Sequence, residues 1–262
     1  MNSVAPSHES LGAPRPLDIV KLLRDGISLY WEHRLLWLFG VLSLFGIRFI
    51  WSFFFNYGAT ALTYRMMVED GVFDFRLWLT FTLLELISGA IDAPCIAGFW
   101  FAGVLAVTDP DCFSLGVFLK GFNIRFFPRV YILYALELAY AVIARQTFGR
   151  ATFWLEGLAV ASGVYLSWFT HATIFHWPDT ELFAAIKLSV FRVLSAGLPL
   201  FLLDILTVGA LAAGVISIVG IFLVIPVAVL THCLAFLEIY NVPTDAAADN
   251  LVDEHGLPRS SI

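Results

Sequence analysis

Residues 178–240 constrain this chain most: PDTELFAAIKLSVFRVLSAGLPLFLLDILTVGALAAGVISIVGIFLVIPVAVLTHCLAFLEIY. A short segment carrying Lys187 and Arg192 leads into two long apolar runs, which meet at a turn without a charge. Inside a bilayer there is no water to satisfy the backbone, so such runs must close their own hydrogen bonds as helices. The stretch predicts a membrane hairpin with a basic ramp in front of it.

The rest of the chain agrees with that reading. Of the 262 residues, 60% are hydrophobic and 14% charged, with a mean hydropathy of +0.84. Soluble domains carry about 25% charged residues, so a soluble fold of this composition would lack polar surface to cover itself. Several runs approach the ~20 apolar residues that span a bilayer. The expected organisation is one transmembrane domain over 17–240, with polar tails at 1–16 and 241–262. Residues 1–16 are polar and Pro-rich and have no apolar core of a signal peptide, so they read as a cytosolic tail. The net charge of −6 gathers at Asp245, Asp249, Asp253 and Glu254. No basic cluster stands apart from the membrane ends, so a nucleic-acid partner is not expected. Cys95, Cys112 and Cys233 show no CxxC spacing, which argues against a disulfide framework or thiolate metal site.

Six runs qualify as spans, at about 35–57, 77–107, 130–148, 153–175, 196–213 and 216–240. Before the first, Ile19, Val20, Leu23, Ile27, Tyr30 and Trp31 repeat at helical period, opposite Lys21, Arg24 and Asp25. That pattern predicts an amphipathic helix lying on the membrane surface. The second run is too long for a bilayer and contains Pro94, which leaves one kinked helix or two segments open. Gly98 and Gly103 in the same run would admit a neighbouring helix closely. With six spans and the N-terminus inside, Arg15, Lys21, Arg24, Arg34, Lys120, Arg125, Arg129, Lys187, Arg192 and Arg259 fall on the cytoplasmic side. Arg65, Arg76, Arg145 and Arg150 fall outside. The excess of inner positive charge places both termini in the cytoplasm of an inner-membrane protein.

A basic segment precedes the first, third and fifth spans: Lys21/Arg24, Lys120/Arg125 and Lys187/Arg192. The expected fold is therefore all-α, with six transmembrane helices arranged as three hairpins, each behind a basic interfacial segment. Basic loops in any six-span protein would give the same appearance without a repeat. Those six cations are the candidate contacts to anionic lipid headgroups.

The chain also contains PCIAGFWFAGVLAV, DPDCFSLGVFLKGF, IFHWPDTELFAAIKLSVFRVLSAGLPLFLLDIL and GIFLVIPVAVLTHCLAFLEIY, in that order. This resembles a group of uncharacterised bacterial inner-membrane proteins, similar to the membrane domain attached to some glycerophosphodiester phosphodiesterases. The matching features are Pro94 and Gly98 in the kinked span, and Val117-Phe118-Leu119-Lys120-Gly121-Phe122 in the following loop. Ala184 to Ser189, then Gly220 and Pro226, complete them. The resemblance implies architecture and localisation. The diesterase activity does not transfer, because no soluble segment here is long enough to hold that domain.

Arg48, Glu85, Asp92, Glu137, Asp204 and His232 fall inside or beside spans. A charge at mid-bilayer costs about 2.5–3.5 kcal/mol on insertion scales, so such residues face the bundle interior and pair. They line an ion or substrate path, or they tie helices together. His171 and His176 are five apart and do not share a helix face, so a metal site is not expected. No nucleophile elbow or phosphate-binding loop is present, and neither enzymatic activity nor a cofactor is expected. The expected partners are the lipid bilayer and another protein or a second copy of the chain. The leading expectation is a membrane scaffold acting in envelope maintenance. A small transporter or channel using the intramembrane carboxylates is the alternative.

Overall fold

The computed structural model describes residues 11–70, 75–148, 161–163, 165–216 and 218–242. The described residues are helical, and no strand occurs among them. The long elements are α1 (Ile19–Glu32), α2 (Arg34–Asp70), α3 (Phe75–Thr108), α4 (Phe127–Phe148), α5 (Thr170–His176), α6 (Leu182–Ile216) and α7 (Ile218–Ile239). Two 3₁₀ segments, Pro110–Cys112 and Leu115–Phe122, join α3 to α4. Five of these helices contain stretches long and apolar enough to cross a membrane: Arg34–Phe55, Thr82–Thr108, Phe127–Ala144, Leu182–Leu211 and Phe222–Ile239. The fourth expected span lies partly outside the described residues, as do the tails at 1–10 and 243–262. The side chains of Arg65, Arg76 and Arg145 fall outside them too.

Helix α3 is the centre of the molecule. Its stretch Thr82–Thr108 is 72% buried, against 17% for the stretches in α2 and α4. It runs through Pro94 as one helix, which decides between the two possibilities left by the sequence. Against it lie α2, α4, α5, α7 and the second 3₁₀ segment. Small residues make that crowding possible. A β-carbon at Gly98 would come within 2.1 Å of the Phe118 carbonyl oxygen, and one at Gly121 within 2.1 Å of that of Pro94. The 3₁₀ segment therefore lies backbone to backbone along α3, with Val117, Phe118 and Gly121 buried. It was expected as a surface segment. Gly98 and Gly121 let its backbone reach α3, which buries Val117 and Phe118 in the bundle instead. Trp37 and Phe99 close edge-on around the fully buried Phe118 ring. Gly103 admits Val229 and Cys233 of α7 in the same way.

Helix α1 docks on the bundle with one face and leaves another open. Asp18 caps it, accepting from the Lys21 amide at 3.0 Å. Its buried face is Leu22, Gly26 and Tyr30, and a β-carbon at Gly26 would strike Thr231 of α7. The face expected in lipid, Val20, Ile27 and Trp31, is exposed. The helix is apolar on two sides, one docked on α7 and one open, so a single amphipathic stripe does not describe it.

Helix α2 continues to Asp70, where the sequence suggested an aromatic connector after residue 57. Helix α6 is two helices in one. Gly197 has φ 59 and ψ −138, a conformation tolerated by glycine. It separates the segment carrying Lys187 and Arg192 from the apolar run behind it. Pro199 follows at the start of the second helix, where a missing amide costs little.

Neighbouring long helices run antiparallel. Leu44 meets Gly98, and Arg48 meets Asp92, pairing α2 with α3. Phe126 packs on Phe175, Glu137 receives Ser167, and Tyr140 covers Gly163, pairing α4 with residues 161–176. Asp204 meets His232, and Gly214 meets Gly220, pairing α6 with α7. The helical stretch before α5 breaks at residues 168–169, and Ser189 repairs the break. Its hydroxyl donates to Leu166 O at 3.0 Å and accepts from the Phe169 amide at 3.2 Å.

The backbone contact makes a direct prediction. Gly98→Ala and Gly121→Ala should each lower stability by ~1–3 kcal/mol or prevent folding, because backbone cannot move aside as a flexible side chain does. Gly46→Ala meets nothing within 4 Å and should be neutral or mildly stabilising. Intrinsic tryptophan fluorescence during a thermal ramp in nanodiscs would report all three.

Candidate functional site

Two places bring together the polar residues of this apolar chain: the interior of the bundle, and the rim where its two ends meet.

Inside, each antiparallel pair holds one polar tie. Between α2 and α3, the Arg48 Nε lies 2.8 Å from Asp92 Oδ1, and Ser88 Oγ donates to Asp92 Oδ2 at 2.9 Å. Asp92 is buried while more than half of the Arg48 side chain is exposed. Between α4 and residues 161–167, Ser167 Oγ donates to Glu137 Oε1 at 2.8 Å. Between α6 and α7, His232 Nε2 lies 2.6 Å from Asp204 Oδ1. His232 Nδ1 sits 2.7 Å from the Ala228 carbonyl, which can only accept. Nδ1 is therefore placed to donate to that carbonyl, and Nε2 faces the Asp204 carboxylate. Trp100 and Trp168 stand edge-on to the imidazole. Asp92 lies eight residues before Trp100 on α3, about 12 Å nearer the start of that helix at ~1.5 Å per residue.

Glu85 does not join this set. Expected beside a span with Asp92, it is exposed and makes no ion pair among the described residues. Two turns separate them. Gly89, between them, is covered by the Tyr134 ring, whereas the position of Glu85 lies open. Ser167 was not singled out in the sequence; a serine in an apolar helix opposite a glutamate is the signal that could have found it. His171 and His176 are buried on α5, and His176 packs edge-on against Trp177 and Phe236.

At the rim, the end of α7 organises the geometry. The Val242 amide donates to Leu237 O at 3.0 Å and the Asn241 amide to Glu238 O at 3.3 Å. Asn241 has φ 52. This is a Schellman termination with asparagine in the left-handed position. It turns the Asn241 side chain onto the N-terminal segment, where Nδ2 donates to Leu11 O at 2.7 Å and Ala13 O at 2.9 Å. Arg192 reaches the same place from α6, donating to Gly12 O at 2.8 Å and Ile239 O at 3.4 Å, with its guanidinium over the Tyr240 ring.

Arg192 was expected at the lipid headgroups. It is instead fully buried, because the carbonyls of two chain ends replace its water. Of the other expected lipid contacts, Arg125 pairs with Asp179 at 2.8 Å. Lys120 is half-buried beside the Phe175 ring, and burial lowers its ammonium pKa. Arg24 is exposed, 3.5 Å from Asp25. Lys21 and Lys187 are exposed.

The clasp can be separated from the turn that supports it. Asn241→Gly keeps the left-handed termination and deletes the two side-chain bonds. Amides of residues 11–18 should then exchange with deuterium roughly tenfold faster while α7 keeps its protection. Arg192→Met should produce the same loosening together with a lower melting temperature.

A scan against family models, a search of curated proteins and a search of solved structures find nothing that matches this chain.

Proposed function

We propose that this is a six-span inner-membrane protein, with both termini in the cytoplasm, that acts as a lipid-contacting membrane scaffold in envelope maintenance and not as a catalyst. The three antiparallel pairs support three hairpins. The bonds from Asn241 to Leu11 and Ala13 hold the described ends of the chain together, which supports an even number of crossings. The inner excess of Lys and Arg supports that side being cytoplasmic. The resemblance to the membrane domain found with some glycerophosphodiester phosphodiesterases agrees with this architecture.

One observation carries the scaffold reading. The three short helices before α2, α4 and the second half of α6 expose apolar side chains outward: Val20, Ile27 and Trp31; Leu115 and Leu119; Phe183, Phe191 and Leu194. Arg24 and Lys187 stand among them, and the Lys187 ammonium lies over the Phe191 ring. Apolar groups beside snorkelling cations suit a collar seated in the headgroup region, attracted to anionic lipid. A protein partner or a second copy of the chain would dock on the same framework.

The close pairing of Asp204 with His232 between α6 and α7 favours a second reading, a small transporter. The intramembrane acids Asp92, Glu137 and Asp204 would then act in turn, with Arg48 as counter-charge.

Two experiments separate these. Reversing Arg24 and Lys187 to glutamate should lower the share of anionic lipid that copurifies in nanodiscs by about tenfold, given ~1 kcal/mol or less for each cation removed and again for each charge added; an unchanged share refutes the collar. In proteoliposomes with a pH-sensitive dye, Asp204→Asn should alter melting without altering proton flux. Flux abolished in a variant of unchanged melting temperature would instead establish transport.

A further inference from the structure

Between α1, the N-terminal segment and the end of α7 lies a cleft of about 300 Å³. Leu22, Leu234, Leu237 and Val242 line its apolar part, and Arg15, Lys21, Asp25 and Glu238 its polar part. Its size falls at the lower end of small-ligand pockets, ~300–1,000 Å³, which suits a headgroup and not a whole lipid. The charges are balanced, two cations against two carboxylates. They are also loosely held. Arg15 and Glu238 approach only to 3.6 Å with side chains 55% and 31% exposed, and Asp25 meets Arg24 at 3.5 Å. Contacts of that length in water-accessible positions contribute little and are readily exchanged for a ligand. Lys21 makes no ion pair among the described residues.

An anionic headgroup would gain from Arg15 and Lys21 and lose by a similar amount to Asp25 and Glu238. A lone amine has the converse difficulty. A zwitterion uses both pairs at once, with its phosphate on the guanidinium and ammonium and its own ammonium on the carboxylates. The apolar part continues toward α1 and α7, where the glycerol and first methylenes of an acyl chain would lie. We infer that this cleft binds the zwitterionic phosphate–ammonium headgroup of a membrane lipid of the phosphoethanolamine class. The inference rests on the membrane reading above, which sets the cleft at a lipid surface. Its preference is opposite to that of the collar, so the two can fail separately.

The test uses the full chain in nanodiscs of equal phosphatidylethanolamine and phosphatidylglycerol, with retained lipid identified by native mass spectrometry. One phosphatidylethanolamine per chain should be kept over phosphatidylglycerol by roughly tenfold. Lys21→Ala and Glu238→Gln should each reduce that retention about tenfold, at unchanged melting temperature for the exposed Lys21. Soluble glycerophosphoethanolamine should compete weakly. If it binds at the cleft while no lipid is retained, the lipid assignment is overturned in favour of a soluble headgroup. Retention of phosphatidylglycerol in its place overturns the zwitterion inference and leaves the collar standing. Retention of phosphatidylethanolamine that neither substitution alters overturns the placement in the cleft. Loss of all lipid selectivity overturns both readings.

Discussion

Close approach to α3 is the constraint on which the rest of this structure depends. In lipid the hydrophobic effect does not press helices together, since acyl chains are as apolar as leucine; association comes from dispersion and from hydrogen bonds between helices. Dispersion falls steeply with distance, so contact must be intimate. Gly98, Gly103 and Gly121 supply that intimacy by removing the atoms that would hold neighbours apart. With the 3₁₀ segment seated on Pro94 and Gly98, α2 reaches α3 at Leu44, and α7 reaches it at Cys233. Aromatic rings then fill the remaining space, with Phe101 stacked on Phe175 and Phe118 enclosed by Trp37 and Phe113.

The polar ties complete what dispersion begins. In each antiparallel pair an acidic side chain meets a partner from the opposite segment, so apolar helices acquire a register. The three ties differ in kind: an ion pair, a neutral donor to a carboxylate, and an imidazole–carboxylate pair. Only the last is enclosed by aromatic rings on more than one side.

Much of this was legible in the residues. Five described helices coincide with expected runs, Gly98 and Gly103 lie at close contacts, and the break at Gly197 separates the basic segment from the run behind it. The short motifs of the resemblance also acquire physical work: Gly121 seats on the Pro94 carbonyl, and Ser189 repairs the broken helix before α5. What could not be read was direction. When a helix is apolar on two sides, as α1 is, periodicity cannot tell the side that meets protein from the side that meets lipid. The same limit hid Arg192. An arginine at the head of a span resembles a headgroup contact unless one knows that the carbonyls of Gly12 and Ile239 lie within its reach. The separation of Glu85 from Asp92 likewise depends on where neighbouring helices end, which no local pattern records.

The clasp at the rim has a consequence for how the chain is made. Its partners, Leu11 and Asn241, stand 230 residues apart, so residues 11–13 are secured only once the end of α7 has formed. Until α7 is in place, Gly12 has no buried arginine on a finished helix end, and α1 has no Thr231 to dock against. Closure of the clasp thus follows the docking of α7, and a chain halted before that helix would leave residues 11–13 accessible to a quality-control protease.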